Sequence, residues 1–162
     1  MIEISVADLS NPSHAKAVIK LLDEYAQDDM GGQCGLSGFT KENLVAELGK
    51  RAGVSVILAF DGANPAGLAI CIEGFSTFAC KPLLNIHDIV VSKAYRKRGI
   101  SKRLLSKAEE IALAQGCCKL TLEVLEGNAI AQAAYTSFGF SAYQLKPEHG
   151  KALFWQKKLG LA

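Results

Sequence analysis

Residues 86–105 constrain the fold of this chain more than any other stretch. An apolar run, IHDIVV, leads through a short turn containing Gly99 into a segment whose apolar positions recur every three or four residues. This is the pattern of a strand that runs through a turn into an amphipathic helix. The first N–H groups of such a helix have no intrahelical acceptor and lie at the positive end of its dipole. The turn is therefore a candidate phosphate site.

Basic side chains crowd this turn. No acidic residue lies between Ser92 and Ala108, whereas seven cations do: Lys93, Arg96, Lys97, Arg98, Lys102, Arg103 and Lys107. A basic cluster at a helix start is also often only a solvated face. The turn lacks the G-K-[ST] of a nucleotide P-loop and the three glycines of a dinucleotide fingerprint. The positive field favours a pyrophosphate with an additional ribose phosphate.

Length and composition favour one ordinary globular domain over residues 1–162. The chain is 49% hydrophobic and 21% charged, with a net charge of +2, which is too mild for a dedicated nucleic-acid or membrane binder. No apolar run approaches the length of a membrane span, and the first residues do not resemble a signal peptide. The five cysteines include no C-x-x-C pair. We therefore expect a cytoplasmic protein with reduced thiols and no metal.

Periodicity predicts a mixed α/β (α+β) fold with about seven strands and four helices. The first helix is predicted to be capped by Ser13 and the second by Thr40. The third carries Leu104, Leu105 and Ile111 on its inward face and ends at Gly116. The predicted strands are 2–7, 54–60, 66–75, 84–91, 119–125, 141–145 and 153–159, and the fourth helix is 128–138. This order implies a twisted, mixed sheet with helices on both faces.

A second motif follows the strand predicted at 119–125. It reads Asn128-x-x-Ala131-x-x-Ala134-Tyr135-x-x-x-Gly139-Phe140. In this order and separation, the two motifs resemble the Gcn5-related N-acetyltransferase (GNAT) superfamily over nearly the whole chain. The resemblance implies the GNAT fold, one N-acetyltransferase domain and acetyl-CoA as cosubstrate.

The resemblance also implies where the cosubstrate binds. Arg96-x-x-Gly99-x-Ser101 is similar to the pyrophosphate loop of the family, although Ser101 replaces the usual Gly or Ala. That hydroxyl either bonds a phosphate oxygen or weakens the fit. The pantetheine arm is implied to enter between the strands at 89–91 and 119–124. The implied cofactor-binding residues are Ile89, Val90, Val91, Arg96, Lys97, Arg98, Gly99, Ile100, Ser101, Lys102, Arg103, Asn128, Ala131 and Tyr135.

Catalytic roles follow from the same resemblance, with structural alternatives. Tyr135 matches the family's general acid for the departing thiolate, although it also lies on the apolar stripe of its helix. His87 is a base candidate because its ordinary pKa lets it accept a proton near neutral pH, but it is equally a structural histidine. Asp88 and Glu73, the latter through a water, are further candidates, and water itself remains open.

The expected reaction is acetyl transfer to the primary amine of a small molecule or peptide, by direct attack in a ternary complex. A protein N-terminal or lysine acetyltransferase and a non-catalytic acyl-CoA-binding module are the alternatives. Residues 75–91 look like the diamine and thialysine acetyltransferase branch, where the position of His87 is normally Glu. The carboxylates Asp23, Glu24, Asp28 and Asp29 either attract a cationic amine or form a solvated helix end. A homodimer is common among similar proteins.

Overall fold

The computed structural model describes residues 1–159 and divides into two compact units, Met1–Leu125 and a second that begins at Glu126. The last three residues of the predicted domain lie outside the described part. The first unit contains β1 (Ile2–Val6), α1 (Pro12–Ala26), α2 (Gly38–Gly49), β2 (Val54–Asp61), β3 (Asn64–Ser76), β4 (Lys81–Val91), α3 (Ile100–Ala114) and β5 (Leu120–Leu122). The second contains α4 (Ala129–Phe138). Single 3-10 turns occupy Lys93–Tyr95 and Pro147–His149.

The strands form one mixed sheet in the order β1-β2-β3-β4-β5. The first three pairings are antiparallel, and β4 pairs with β5 in parallel. The mixed sheet and the four helices of the sequence prediction are confirmed. The strand count is wrong, since five strands rather than seven form within residues 1–159.

The two predicted closing strands, at 141–145 and 153–159, are the source of that error. No strand forms in residues 141–159. The Ala152 N–H donates to the Tyr143 carbonyl at 2.9 Å, which connects the first stretch to the residue just before the second. Apolar and aromatic residues favour a strand, but a strand also needs a neighbour whose backbone completes its hydrogen bonds. The fifth predicted strand, at 119–125, is likewise shortened to Leu120–Leu122.

Both predicted N-terminal caps are displaced toward the start of the chain. Asn11, rather than Ser13, caps α1, and its side chain accepts the Ser13 N–H at 2.8 Å. Ser37, rather than Thr40, caps α2, with its hydroxyl accepting the Thr40 N–H at 3.1 Å. Pro12 explains the first shift, because proline is favoured at the first helical position and the cap must precede it.

Helices cover both faces of the sheet. On one face α1 buries Val18, Leu21 and Leu22 against β2 and β3. On the other, α3 buries Ile100, Leu104, Leu105, Ala108 and Ala112, whereas Ile111, predicted to face inward, is only half-buried. Each fully buried leucine or isoleucine contributes about 1.5–3 kcal/mol relative to an exposed one. This packing fixes the start of α3 against the sheet.

Close approach of α3 requires a glycine on β3. A Cβ added to Gly67 would lie 3.1 Å from the Val90 carbonyl oxygen and 3.2 Å from side-chain carbons of both Ile100 and Leu104. Ile100 is the first residue of α3. The absence of a side chain at Gly67 therefore lets the N-terminal end of α3 sit directly on the sheet beside the end of β4.

Candidate functional site

The parallel strands β4 and β5 pair over only three residues. Their register runs from Leu84 opposite Leu120 to Ile86 opposite Leu122, where β5 ends. β4 continues for five more residues, to Val91. Among the described strands, none pairs with this edge of β4 beyond Ile86. The last five residues of β4 therefore present an open backbone edge, at the place where the sequence predicts entry of a pantetheine arm.

A β-bulge determines which backbone groups face that edge. Ile70 of β3 lies opposite Asp88 and Cys71 lies opposite Ile86, so His87 is the extra residue. Before the bulge, the Leu84 N–H donates to the Lys119 carbonyl at 3.1 Å, on the β5 side. An extra residue reverses the alternation of the strand beyond it.

The hydrogen bond after the bulge has the reversed direction. The Ser92 N–H donates to the Ala66 carbonyl at 3.0 Å, on the β3 side. Because successive residues of a strand direct their N–H groups to opposite edges, those of Ile89 and Val91 point to the open edge. The bulge has no signature in the sequence, and the direction of these amides could not have been predicted from it.

The three base candidates lie in different surroundings. His87 is exposed at the bulge, where the open edge begins. Asp88 is half-buried, and burial raises the pKa of its carboxyl while the neighbouring His87 lowers it. Glu73 is exposed and lies opposite Leu84, beside the paired part of β4. The structure therefore brings His87 and Asp88 to the open edge and keeps Glu73 away from it.

Asp88 has a neighbour that the sequence did not predict. The ring hydroxyl of Tyr25, on α1, has a raised pKa because the side chain is partly buried and because the carboxylates of Asp88 and Asp28 lie nearby. Tyr25 thus stays protonated near neutral pH, and its hydroxyl is a proton donor rather than a base. It adds a polar group to the α1 face of the sheet beside β4.

The turn after β4 has the backbone of an anion site. Lys97 has φ of 63° and Gly99 has φ of 73°, both in the left-handed region. The first bond of α3 runs from the Arg103 N–H to the Gly99 carbonyl at 3.3 Å, which leaves the first amides of the helix without an intrahelical acceptor. Amides that follow left-handed residues converge on anions. The sequence-predicted loop around Gly99 therefore has suitable geometry.

Several basic side chains around the turn already have partners. Arg98 lies over the Tyr95 ring at 5.2 Å, Arg103 donates to the Ile2 carbonyl at 2.9 Å, and Lys107 pairs with Glu110 at 2.7 Å. Lys97 and Lys102 are exposed and form no ion pair with any residue between 1 and 159. The predicted basic set is therefore divided, and Lys97 and Lys102 are the side chains best able to meet a phosphate.

The exposed side chain of Arg96 connects the turn to other parts of the first unit. Its Nη2 donates to Asp28 Oδ2 at 2.8 Å, and its Nε donates to the Val91 carbonyl at 3.2 Å. Lys93 Nζ lies 3.6 Å from the same carboxylate, and the Lys93 N–H donates to Glu24 Oε1 at 2.7 Å. Its guanidinium thus has two intramolecular acceptors, and the role of Arg96 as a cofactor contact stays a prediction.

The carboxylates at and just beyond the C-terminal end of α1 already accept hydrogen bonds from other residues of the chain. Besides Asp28 and Glu24, Asp23 accepts from Lys41 Nζ at 2.9 Å and from the Leu36 N–H at 2.8 Å. Asp29 accepts from Gln33 Nε2 at 3.0 Å. All four carboxylates thus hold loops in place. This favours the structural alternative over the attraction of a cationic amine.

The second unit holds the other motif in a regular helix. Asn128 caps α4 by accepting the Ala131 N–H at 3.1 Å. Gly139, with φ of 111°, ends the helix. The half-buried ring of Tyr135 packs edge-on against Phe140, with 6.1 Å between ring centroids. The roles of Asn128, Ala131 and Tyr135 toward a cosubstrate stay predictions.

Comparison with known proteins decides the family. The model of the acetyltransferase (GNAT) family matches residues 15–140, which include both motifs. The chain belongs to this family. It is accordingly an N-acetyltransferase of the GNAT fold.

Relatives and solved structures agree with the GNAT assignment. A thialysine N-epsilon-acetyltransferase of Caenorhabditis elegans is 27% identical over 80% of this chain and 78% of its own length. A solved probable acetyltransferase superposes with a TM-score of 0.79 at 21% identity, covering 96% of this chain and 99% of that one. An aminoglycoside N-acetyltransferase in complex with CoA gives a TM-score of 0.74 at 16% identity, covering 98% and 96%.

Two other features of this GNAT chain concern metals and membranes. Across residues 1–159, no group of three or more His, Cys, Asp or Glu side chains is placed to hold a metal ion. Within the same residues, no helix has the length and apolar character needed to span a bilayer.

Proposed function

We propose that the chain transfers the acetyl group of acetyl-CoA to the primary amine of a small molecule or peptide, by direct attack in a ternary complex. The observation that supports this most is the open edge of β4. It directs the Ile89 and Val91 amides outward and runs within eight residues of sequence from Val91 into the anion loop at Gly99. A thioester and a diphosphate belong to one molecule of CoA, and the two features follow one another along the chain.

The proposal assigns each part of the cosubstrate to a part of the first unit. The diphosphate binds the amides that open α3 after Gly99, with Lys97 and Lys102 supplying positive charge. The pantetheine arm lies along β4 and pairs with its backbone as an added strand would. The open edge is unpaired over residues 87–91, so it can accept such a strand without displacing β5. Ser101, half-buried in the first turn of α3, can donate to a phosphate oxygen.

The proposed chemistry is attack on the thioester, to which the protein makes two contributions besides proton transfer. The amine nitrogen attacks the thioester carbon, so that a C–N bond forms and the C–S bond breaks. The Val91 N–H stabilises the negative charge that develops on the carbonyl oxygen. Binding both reactants in one orientation supplies a large part of the rate.

Two protons move in this reaction. The attacking amine must lose one, and the proposal gives it to His87, with Asp88 beside it as the other candidate at the open edge. The leaving thiolate takes up the other, and Tyr135 donates it or hydrogen-bonds the sulfur. Because the ordinary pKa of tyrosine is about 10 and that of a thiol about 8.5, complete transfer from Tyr135 is only weakly driven.

The acceptor we propose is a small primary amine with amino-acid or diamine character. The thialysine acetyltransferase relatives support this class. His87 stands where that branch normally has Glu, so the base and the finer choice of amine are expected to differ from those of the relatives. A cytoplasmic location and a homodimer remain predictions from the sequence, and light scattering tests the second.

Thiol release from acetyl-CoA tests the proposed reaction. The panel contains thialysine, lysine, polyamines, an aminoglycoside and short peptides. We expect turnover with at least one small amine, and a fall of kcat by roughly two orders of magnitude for His87→Gln. His149→Gln is the matched control, because the proposed reaction assigns no role to His149, which lies on the 3-10 turn Pro147–His149. CoA binding without turnover on any amine would contradict the enzymatic proposal and support a non-catalytic module.

The role of Tyr135 needs a separate comparison. Tyr135→Phe removes only the hydroxyl and keeps the ring against Phe140. We expect kcat to fall by about tenfold or more while KM for acetyl-CoA changes little. Tyr143→Phe, in the same unit, is the control and should keep full activity. Equal activity of the two variants would remove Tyr135 from the mechanism.

A further inference from the structure

Asp28 lies immediately beyond α1 and holds the turn between β4 and α3. Its side chain is 15% exposed, whereas that of its partner Arg96 is 47% exposed. The Arg96 hydrogen bond lowers the pKa of the Asp28 carboxyl, so the carboxylate is charged near neutral pH. A charged group that is this well covered is held in place by its partner.

Arg96 connects that carboxylate to the open edge of β4. One guanidinium reaches Asp28 Oδ2 at 2.8 Å and the Val91 carbonyl at 3.2 Å. The N–H and C=O of one strand residue point to the same edge, so this carbonyl lies beside the amide to which the proposed function assigns the oxyanion. Arg96 therefore links the loop where the diphosphate is proposed to bind to the end of β4 where the thioester is proposed to bind.

The turn needs a stabilising contact at Arg96 because the next residue has an unfavourable backbone conformation. Lys97 adopts a left-handed φ of 63°, which a side chain with a Cβ disfavours. Conformations of this kind persist only where the surroundings fix them. Lys97 is exposed and has no ion pair in the described chain. The residues that can hold Lys97 in this conformation are Arg96, which precedes it and is hydrogen-bonded, and Gly99, where the backbone enters α3.

We propose that Asp28 is a positioning residue for CoA binding, which acts through Arg96 to hold the anion loop in its binding conformation. The inference rests on the proposed function and goes beyond it, because Asp28 itself need not touch the cosubstrate. It also gives the segment that follows α1 a role in cosubstrate affinity.

Electrostatics alone predicts the opposite result. Removing a carboxylate near an anion site makes the local field more positive and releases Arg96, and both changes should tighten the binding of a phosphate ligand. If Asp28 instead positions the loop, loss of its carboxylate should weaken the binding of CoA. The sign of the change in affinity therefore separates the two accounts.

Calorimetry with CoA on the full chain measures that sign. For Asp28→Asn we expect affinity about fivefold weaker than that of the unmodified chain, with kcat at saturating acetyl-CoA within about twofold. Asp28→Glu, which keeps the charge, should recover part of the loss. Asp23→Asn is the matched control: Asp23 lies on α1, shortly before Asp28 in the sequence, and pairs at 2.9 Å with Lys41 on α2. Its loss should leave CoA affinity unchanged. Unchanged or tighter binding by Asp28→Asn overturns the proposal.

A double-mutant cycle tests whether Asp28 acts through Arg96. In an Arg96→Gln background, Asp28→Asn should weaken CoA binding much less than it does alone. Fully additive losses would contradict a shared route and would make Arg96 an independent phosphate ligand.

Hydrogen exchange separates this inference from the proposed function. In the unliganded chain, the amides of residues 93–99 should exchange faster in Asp28→Asn than in Asp23→Asn. If the unmodified chain binds no CoA, the proposed function fails, and the exchange comparison still decides whether Asp28 orders the loop. Equal exchange in the two variants would contradict the bracing role.

Discussion

Gly99 controls the anion loop at the scale of a single residue. It has φ of 73° and immediately precedes α3 as its N-cap, and a Cβ at this position would have no atom within 4 Å. The cost of a side chain there is therefore conformational rather than steric. We expect Gly99→Ala to lower the free energy of unfolding by about 1–2 kcal/mol, as measured by urea denaturation, and to weaken CoA binding. Gly99→Asn should cost less, because asparagine tolerates this region better. Equal losses for the two variants would contradict the backbone explanation.

Cys71 is a second residue whose behaviour follows from its surroundings. It is fully buried on β3, and burial raises the pKa of its thiol to about 12. Because the thiolate is the reactive species, we expect Cys71 to resist alkylation by iodoacetamide in the folded chain and to react in denaturant. Mass spectrometry of the modified peptides measures this. Cys34, Cys80 and Cys118 are exposed and serve as internal controls. Labelling of Cys71 at the rate of those three would contradict its burial.

At the scale of elements, Gly67 sets the distance between β3 and α3. The added Cβ of an alanine would meet the Val90 carbonyl, Ile100 and Leu104 at 3.1–3.2 Å. We expect Gly67→Ala to destabilise the fold by about 1–3 kcal/mol and to weaken CoA binding, since Ile100 begins the anion-binding helix. Thermal unfolding and calorimetry measure the two effects. Gly38→Ala, where an added Cβ meets nothing within 4 Å, is the control. Wild-type stability of Gly67→Ala would show that α3 can move away freely.

Elements with local signals could be predicted from the sequence. The apolar periods of α1 and α3, the glycine that opens α3 and the strands of the meander all depend on neighbouring residues. The bulge at His87 does not, since it arises from pairing between β3 and β4. The brace between Asp28 and Arg96 joins residues 68 positions apart. Sequence patterns therefore predict the turn that the proposed function makes an anion loop, but not the groups that orient it.

The two strands predicted near the C-terminus also depend on contacts that the sequence pattern does not describe. Residues 141–145 and 153–159 contain apolar and aromatic side chains that favour strands, yet no strand forms in either stretch. Pro147 and Gly150 shape the turn between them. Periodicity describes one strand by itself, whereas pairing depends on a partner that lies elsewhere.

At the scale of the whole molecule, acid should destabilise the fold. Hydrogen bonds from Lys41, Arg96 and Lys50 lower the carboxyl pKa values of Asp23, Asp28 and Glu47, respectively. A carboxyl whose pKa is lower in the folded chain stabilises it above the unfolded pKa, near 4, and this stabilisation is lost as the pH falls through the folded value. We expect the melting temperature to fall steeply below about pH 4 and Asp28→Asn to show a shallower fall. A melting temperature that rises on acidification would contradict this.

The whole-molecule account depends on the amides that follow Gly99 and the positive side chains beside them. Calorimetry that compares CoA with pantetheine tests it most directly, because pantetheine keeps the arm and lacks the diphosphate. The account predicts one CoA bound per chain, with affinity that falls as salt is added, and pantetheine bound far more weakly. Pantetheine binding as tight as that of CoA, or no CoA binding by the folded chain, would contradict it.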